Sequence, residues 1–133
     1  MYKWEERYSV GIQSIDKQHK EVFNLLNNLL QALKLGQAGN VTTQIILELE
    51  KYAAMHFQKE EFFFQRFNYS GAEQHIREHQ LFIQKITELK AAIKDSKIAP
   101  AFELFNFLKE WIEHHILVVD KEYRECFLKN GLR

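Results

Sequence analysis

A chain of 133 residues with a 46% hydrophobic share and eleven phenylalanines is long enough to bury one core and too apolar to be disordered. Eighteen basic side chains balance eighteen acidic ones, which leaves no electrostatic footprint for nucleic acid or an anionic membrane surface. No apolar run approaches the ~18 residues of a membrane span, the Met1-Tyr2-Lys3-Trp4 start lacks the apolar stretch of a secretion signal, and the lone Cys126 cannot pair within the chain. The expectation is one domain over residues 1–133, free of the membrane and cytoplasmic.

After an irregular arm from Met1 to Val10, a helical period dominates. The first helix carries Ile15, His19, Val22, Phe23, Leu26, Leu29, Leu30 and Leu33 on one face, until Gly36 and Gly39 break it. A second helix is expected to follow Asn40 as N-cap, with Ile45, Leu49, Tyr52, Ala53, His56, Glu60, Phe63 and Phe67 on its stripe. Ser70-Gly71-Ala72-Glu73 has the form of a capping box. It opens a third helix whose inner face runs His75, His79, Phe82, Ile83, Ile86, Leu89 and Ile93, and which Asp95 and Ser96 close. Pro100 suits the first turn of a fourth, with Phe105, Leu108, Ile112, His115 and Val119 inward and a stop near Asn130-Gly131. Short connections make each helix antiparallel to the one before, so the fold class is all-α, an up-down-up-down antiparallel four-helix bundle.

Five of the six histidines, His19, His56, His75, His79 and His115, fall on these apolar stripes. His56 with Glu60, and His75 with His79, stand four residues apart, so each pair shares a helix face and can grip one metal from a rigid element. A single inward histidine is ordinarily a core residue hydrogen-bonded to a carbonyl. Five of them, with a buried carboxylate and no Arg or Lys on any stripe to pair with it, point instead to a metal site inside the bundle. The Phe62-Phe63-Phe64 run is assigned to core and flanking contacts, Cys126 to a small thiol without a role, and the Lys/Glu faces to solvated surface.

Asp16-Lys17-Gln18-His19-Lys20, His56-Phe57-Gln58-Lys59-Glu60-Glu61, His75-Ile76-Arg77-Glu78-His79 and His115-Ile116-Leu117-Val118-Val119-Asp120 resemble, in order and spacing, the four ligand motifs of the hemerythrin family. Tyr8-Ser9-Val10-Gly11-Ile12 resembles its bacterial branch. The resemblance covers nearly the whole chain and implies a di-iron centre. One iron would be held by His75, His79 and His115, the other by His19 and His56, with Glu60, Asp120 and an oxo or hydroxo group bridging the two. Seven protein ligands exceed what one tetrahedral zinc can use, and mixed imidazole and carboxylate ligation suits iron, manganese or cobalt. On two six-coordinate ions this set leaves one position open, where the family binds dioxygen. By place in the motif Val22 would line that pocket, with Phe23 and Ile112 beside it.

Three positions depart from the family pattern: Phe64 where Met is common, Ser70 where Pro is, and Glu113 where the residue is often apolar. Facing the pocket, Glu113 would admit water or protons. His115 and Asp120 are five residues apart, about 140° round an ideal helix, so a π-type turn between them is expected. His114 is the competing ligand, on a face shared with Glu110 and Lys121. Reversible dioxygen binding, as carrier or store and without enzymatic turnover, is the leading reading, because carboxylate-rich di-iron bundles that activate oxygen use Glu-x-x-His motifs, which this chain lacks. The alternatives are a di-iron enzyme acting on peroxide or nitric oxide, or repairing iron centres, and an oxygen sensor working through a partner. Dioxygen, and an oxygen-consuming enzyme as its recipient, are the expected partners. No exposed apolar seam defines an oligomeric state.

Overall fold

The computed structural model describes residues 2–93 and 98–132, with backbone alone at Asn40, Ile98 and Ala99. A short 3-10 turn, Glu6–Tyr8, leads into α1 (Gln13–Lys34), α2 (Ala38–Arg66), α3 (Ala72–Ala92) and α4 (Ile98–Glu110). The fourth rod then changes pitch twice, through a π-helical segment, Trp111–Val119, and a 3-10 turn, Asp120–Tyr123, before α5 (Arg124–Lys129). Among the described residues there is no strand, and no helix is long and apolar enough to cross a membrane.

Consecutive helices pack on one another, and α1 closes the ring against α4, the four-helix bundle that the hydrophobic period predicts. Its connections are held by backbone geometry more than by the expected side-chain caps. Gly36 takes φ +69, its N–H bonds Leu33 O at 3.3 Å, and the Gln37 N–H reaches back to Ala32 O at 2.8 Å. That pair of bonds is a Schellman motif, which satisfies the last carbonyls of α1 and turns the chain at once. α2 therefore starts at Ala38, Gly39 and Asn40 lie inside it, and no side chain caps it. The expected stop at Gly39 and cap at Asn40 are both displaced.

The α2–α3 corner repeats the device. Asn68 has φ 50, the Tyr69 N–H bonds Phe64 O at 2.9 Å, and the Tyr69 and Phe64 rings pack at 5.1 Å, the apolar contact that accompanies this motif. The helix starts where the capping-box pattern put it, but Ser70 is exposed and Gly71 takes the N-cap position without a side-chain bond. Pro100 stands in the first turn of α4 as expected, and α5 ends at Asn130 with Gly131 at φ +89. The expected stop at Asp95 and Ser96 lies outside the described residues. Ile83 is 48% exposed rather than inward, because it lies one residue, about 100°, round from Phe82 on the buried stripe.

The apolar interior is split in two. One cluster includes Val22, Leu26, Leu29, Leu49, Phe82, Ile86, Leu104 and Ile112; the other comprises Val10, Ile12, Ile15, Phe64, Tyr123 and Phe127. Between them every rod contributes polar side chains: His19 between Ile15 and Val22, His56 and Glu60 before Phe64, His75 and His79 before Phe82, His115 and Asp120 between Ile112 and Tyr123. The smaller cluster is mostly aromatic, with Phe127 fully buried against Tyr123, Phe63, Phe64 and Phe67. Phe127→Ala is expected to cost about 3–5 kcal/mol in urea unfolding. Phe62→Ala, at a position 57% exposed, should stay within about 0.5 kcal/mol.

Candidate metal centre

All seven singled-out side chains, His19, His56, Glu60, His75, His79, His115 and Asp120, are at least 98% buried and face one another. Helical spacing accounts for His56 with Glu60 on α2 and His75 with His79 on α3. The fourth rod solves a harder problem. Its π pitch gives i to i−5 bonding: the Asp120 N–H bonds His115 O, and Asp120 Oδ1 comes to 3.0 Å from His115 Nε2. A regular α-helix would hold the two side chains about 140° apart. The π turn expected from the spacing is present and longer than that spacing requires, because it begins at Trp111.

The ligating atoms gather into two overlapping groups, Glu60 with His75, His79 and His115, and His19 with His56, Glu60 and Asp120, each within 4.8 Å. Glu60 Oε1 stands 3.1 Å from His79 Nε2 on one side and 3.3 Å from His56 Nε2 on the other. Asp120 splits its oxygens, with Oδ1 2.9 Å from His75 Nε2 and Oδ2 2.9 Å from His19 Nε2. Both carboxylates thus face both halves. His19 and His56 bring their Nε2 atoms to 3.0 Å, the separation of neighbouring ligands at about 2.1 Å on an octahedral ion.

The donor chemistry fits a cation. The outer Nδ1 of His56 faces Gln18 Oε1 at 2.6 Å, that of His79 faces Glu61 Oε2 at 2.8 Å, and that of His115 faces Glu78 Oε1 at 2.9 Å. Those oxygens accept, so each of these Nδ1 atoms carries a proton, and in the neutral ring Nε2 is left to offer its lone pair inward to a cation. Inside, Nε2 of His75, His79 and His115 and all four oxygens of Glu60 and Asp120 make no hydrogen bond. Buried groups left so cost about 1–3 kcal/mol each, more when charged. A positive ion at the centre satisfies them together.

Aromatic rings fix the imidazole planes. Trp111 stacks on His115 at 3.7 Å and 10°, Phe57 on His79 at 3.9 Å and 5°, and Tyr52 on His56 at 5.0 Å and 16°. Sequence reasoning missed Gln18, Glu61 and Glu78 as imidazole partners and Trp111 as a clamp. Each polar partner directly adjoins a ligand in sequence, but it binds the imidazole of a different rod, a pairing no helical period displays. His114 is 67% exposed and faces Glu78 Oε2 at 3.8 Å from outside, so it does not compete as a ligand. Glu113 is also exposed, on an outer groove with Glu78, Glu110 and His114, and does not face the interior. Val22, Phe23 and Ile112 are buried in the larger apolar cluster.

Without a cation the charges settle among themselves. Burial, reinforced by the charge of Asp120, pushes the Glu60 carboxyl up to about 7. Burial works the same way on Asp120, but His115 and His19 overcome it and hold that carboxyl well below its ordinary range. His115 is lowered by burial and raised more strongly by Asp120, to about 9. Burial takes His79 down to about 4 and His56 well below its usual value. The metal-free centre therefore favours a proton on Glu60 well above the usual carboxylate range and sets the His115 imidazolium against the Asp120 carboxylate.

A family model, the hemerythrin HHE cation binding domain, matches residues 10–126. Similar proteins include a "Bacteriohemerythrin" of Clostridium acetobutylicum, 31% identical over 127 residues that cover 92% of this chain and 98% of that protein. A "Hemerythrin-like protein" of Naegleria gruberi is 29% identical and a "Myohemerythrin" of Riftia pachyptila 25% identical, each over 123 residues, 92% of this chain and 91% of theirs.

Ligation requires Glu60 ionised and His115 neutral, so a bound cation must displace the proton that Glu60 holds up to about 7 and the one that His115 holds up to about 9. Metal affinity, measured by chelator competition, is expected to rise steadily from pH 6 to pH 9, with protons released on binding.

Proposed function

The chain belongs to the hemerythrin family, and on that premise we propose that it binds dioxygen reversibly, as a carrier or store, at two iron ions inside the bundle. His75, His79 and His115 would hold one iron and His19 and His56 the other, with Glu60 and Asp120 available to both. Bound iron supplies the electrons and the open coordination position that dioxygen needs. The observation that carries this reading is the pair of overlapping centres, in which two buried carboxylates each face both histidine groups and lack any other partner.

The remaining work belongs to the protein. Gln18, Glu61 and Glu78 hold three rings in the tautomer that presents Nε2. Val22, Phe23 and Ile112 line the ligand side and exclude water, which slows loss of the oxygenated form to oxidation. Glu113 and His114 stay outside, so the acid that would have favoured redox turnover is absent from the pocket. The donor set leans to imidazole, unlike the Glu-x-x-His sites of oxygen-activating bundles, and hemerythrins are in general oxygen-binding proteins rather than enzymes. A cytoplasmic setting agrees with the unpaired thiol of Cys126.

Anaerobic, reduced protein loaded with iron should contain two irons per chain, be nearly colourless, gain a visible charge-transfer band in air, and lose it again under vacuum. Steady consumption of peroxide or nitric oxide by catalytic amounts of protein would replace this reading with an enzymatic one. His115→Ala should abolish stoichiometric iron loading while His114→Ala leaves it intact, by metal analysis. Val22→Asp should keep both irons and speed autoxidation several-fold, followed by decay of the oxygenated spectrum.

A further inference from the structure

Two donors at the ligand side of the centre have no partner. Tyr52 is 4% and Trp111 7% exposed, yet neither the Tyr52 hydroxyl nor the Trp111 indole N–H makes a hydrogen bond. Each sits one helical turn before a ligand and stacks on it, Tyr52 on His56 and Trp111 on His115. α2 and the fourth rod run the same way, so both rings cover the same end of the polar layer. That end is also covered by Val22, three residues after His19, and Phe82, three after His79, on the rods that run oppositely.

The surroundings of the phenol are aromatic: His56, Phe57 and Phe82 pack round its ring. The carboxylates of Glu60 and Asp120 come near enough for their charges, after burial, to oppose ionisation of the phenol, but neither accepts its proton in a hydrogen bond. An indole N–H only donates, so Trp111, which acts on the phenol to favour its ionised form, offers the hydroxyl proton no acceptor. The Tyr52 proton is thus left to point elsewhere. Buried donors without a partner are uncommon in folded proteins; Tyr123 carries another, but beside Glu60, whereas the Tyr52 hydroxyl has no acceptor of the centre bonded to it.

Resting on the function proposed above, we infer that Tyr52 donates a hydrogen bond to the outer atom of a small ligand held at the centre, with Trp111 orienting the hydroxyl. The pocket is then apolar with one polar point. It favours ligands whose outer atom carries negative charge, dioxygen reduced on binding or a small linear anion, over neutral diatomics.

Iron-loaded, oxidised wild-type protein and Tyr52→Phe are titrated with sodium azide, and metal-free forms of both are melted. The expected result is azide binding about tenfold or more weaker in the variant, the scale of one hydrogen bond to a charged acceptor. The azide stretch should shift in heavy water for wild type and not for the variant. Metal-free Tyr52→Phe should melt at the same or a higher temperature, since an unpaired hydroxyl has been removed. Equal azide affinity in the two proteins, or no azide binding in wild type that does oxygenate, overturns this inference alone. Wild type that takes up iron but binds neither azide nor dioxygen overturns the parent reading and this one with it.

Discussion

Seven polar side chains buried in one layer, with inward atoms that accept and almost nothing that donates, set the terms for the rest of the molecule. Five imidazoles and two carboxylates are left to one another: Nε2 of His75, His79 and His115 and all four carboxylate oxygens find no hydrogen-bond partner outside the layer. The layer cuts the apolar interior into two clusters, so the protein gives up a continuous core at its middle. In water such groups would be solvated, and in a dry interior they are tolerated only if something else compensates. The metal-free chain manages by leaving a proton on Glu60 and setting the His115 imidazolium against Asp120. A cation replaces those protons and meets every inward lone pair at once, which ties metal binding to stability.

Holding that layer in register accounts for the least regular parts of the fold. α2 and α3 present their candidate ligands, His56 with Glu60 and His75 with His79, at ordinary helical spacing, and α1 presents His19 from a regular helix. The fourth rod must bring His115 and Asp120 to the same point from five residues apart, and it does so by widening to π pitch from Trp111 to Val119 and tightening to 3-10 pitch from Asp120. π segments are rare, and those that occur are frequently found at functional sites. Here the same segment carries Trp111 onto the face of His115, so the irregular pitch positions a ligand and the ring that clamps it together.

The bundle and the inward direction of all seven ligating side chains were legible in the sequence, because both are properties of single helices: a period of 3.6, and pairs four apart on one face. The π turn was legible too, as a conflict between His115 and Asp120 that a regular helix cannot resolve. The helix ends were read less well for a definite reason. Asn40 and Ser70 are good cap residues, but the chain turns through left-handed backbone at Gly36 and Asn68, and the backbone bonds of those turns meet the helix ends before a side chain is needed. The pairings of Gln18 with His56, Glu61 with His79 and Glu78 with His115 were not legible at all. They join different rods, and their register follows from packing that no local spacing encodes.

The two ends of the polar layer differ in a way that bears on function. At one end Phe64, Tyr123 and Phe127 close on the centre with fully buried rings; the Tyr123 hydroxyl also makes no hydrogen bond, but a carboxyl of the centre, Glu60, is close enough to act on it. At the other end Val22, Ile112, Phe57 and Phe82 lie in one apolar cluster with Tyr52 and Trp111, neither of whose polar atoms makes a hydrogen bond. A site meant only to hold metal would gain from closing both ends alike. Both tyrosine hydroxyls are unpaired, but Tyr123 has an acceptor of the centre beside it and Tyr52 has only the indole donor of Trp111, so on the Tyr52 side a further acceptor is wanted. That difference argues for a centre that takes up a small ligand from the Tyr52 side, while Glu113 and His114 lie apart, on the outer groove beside Glu78.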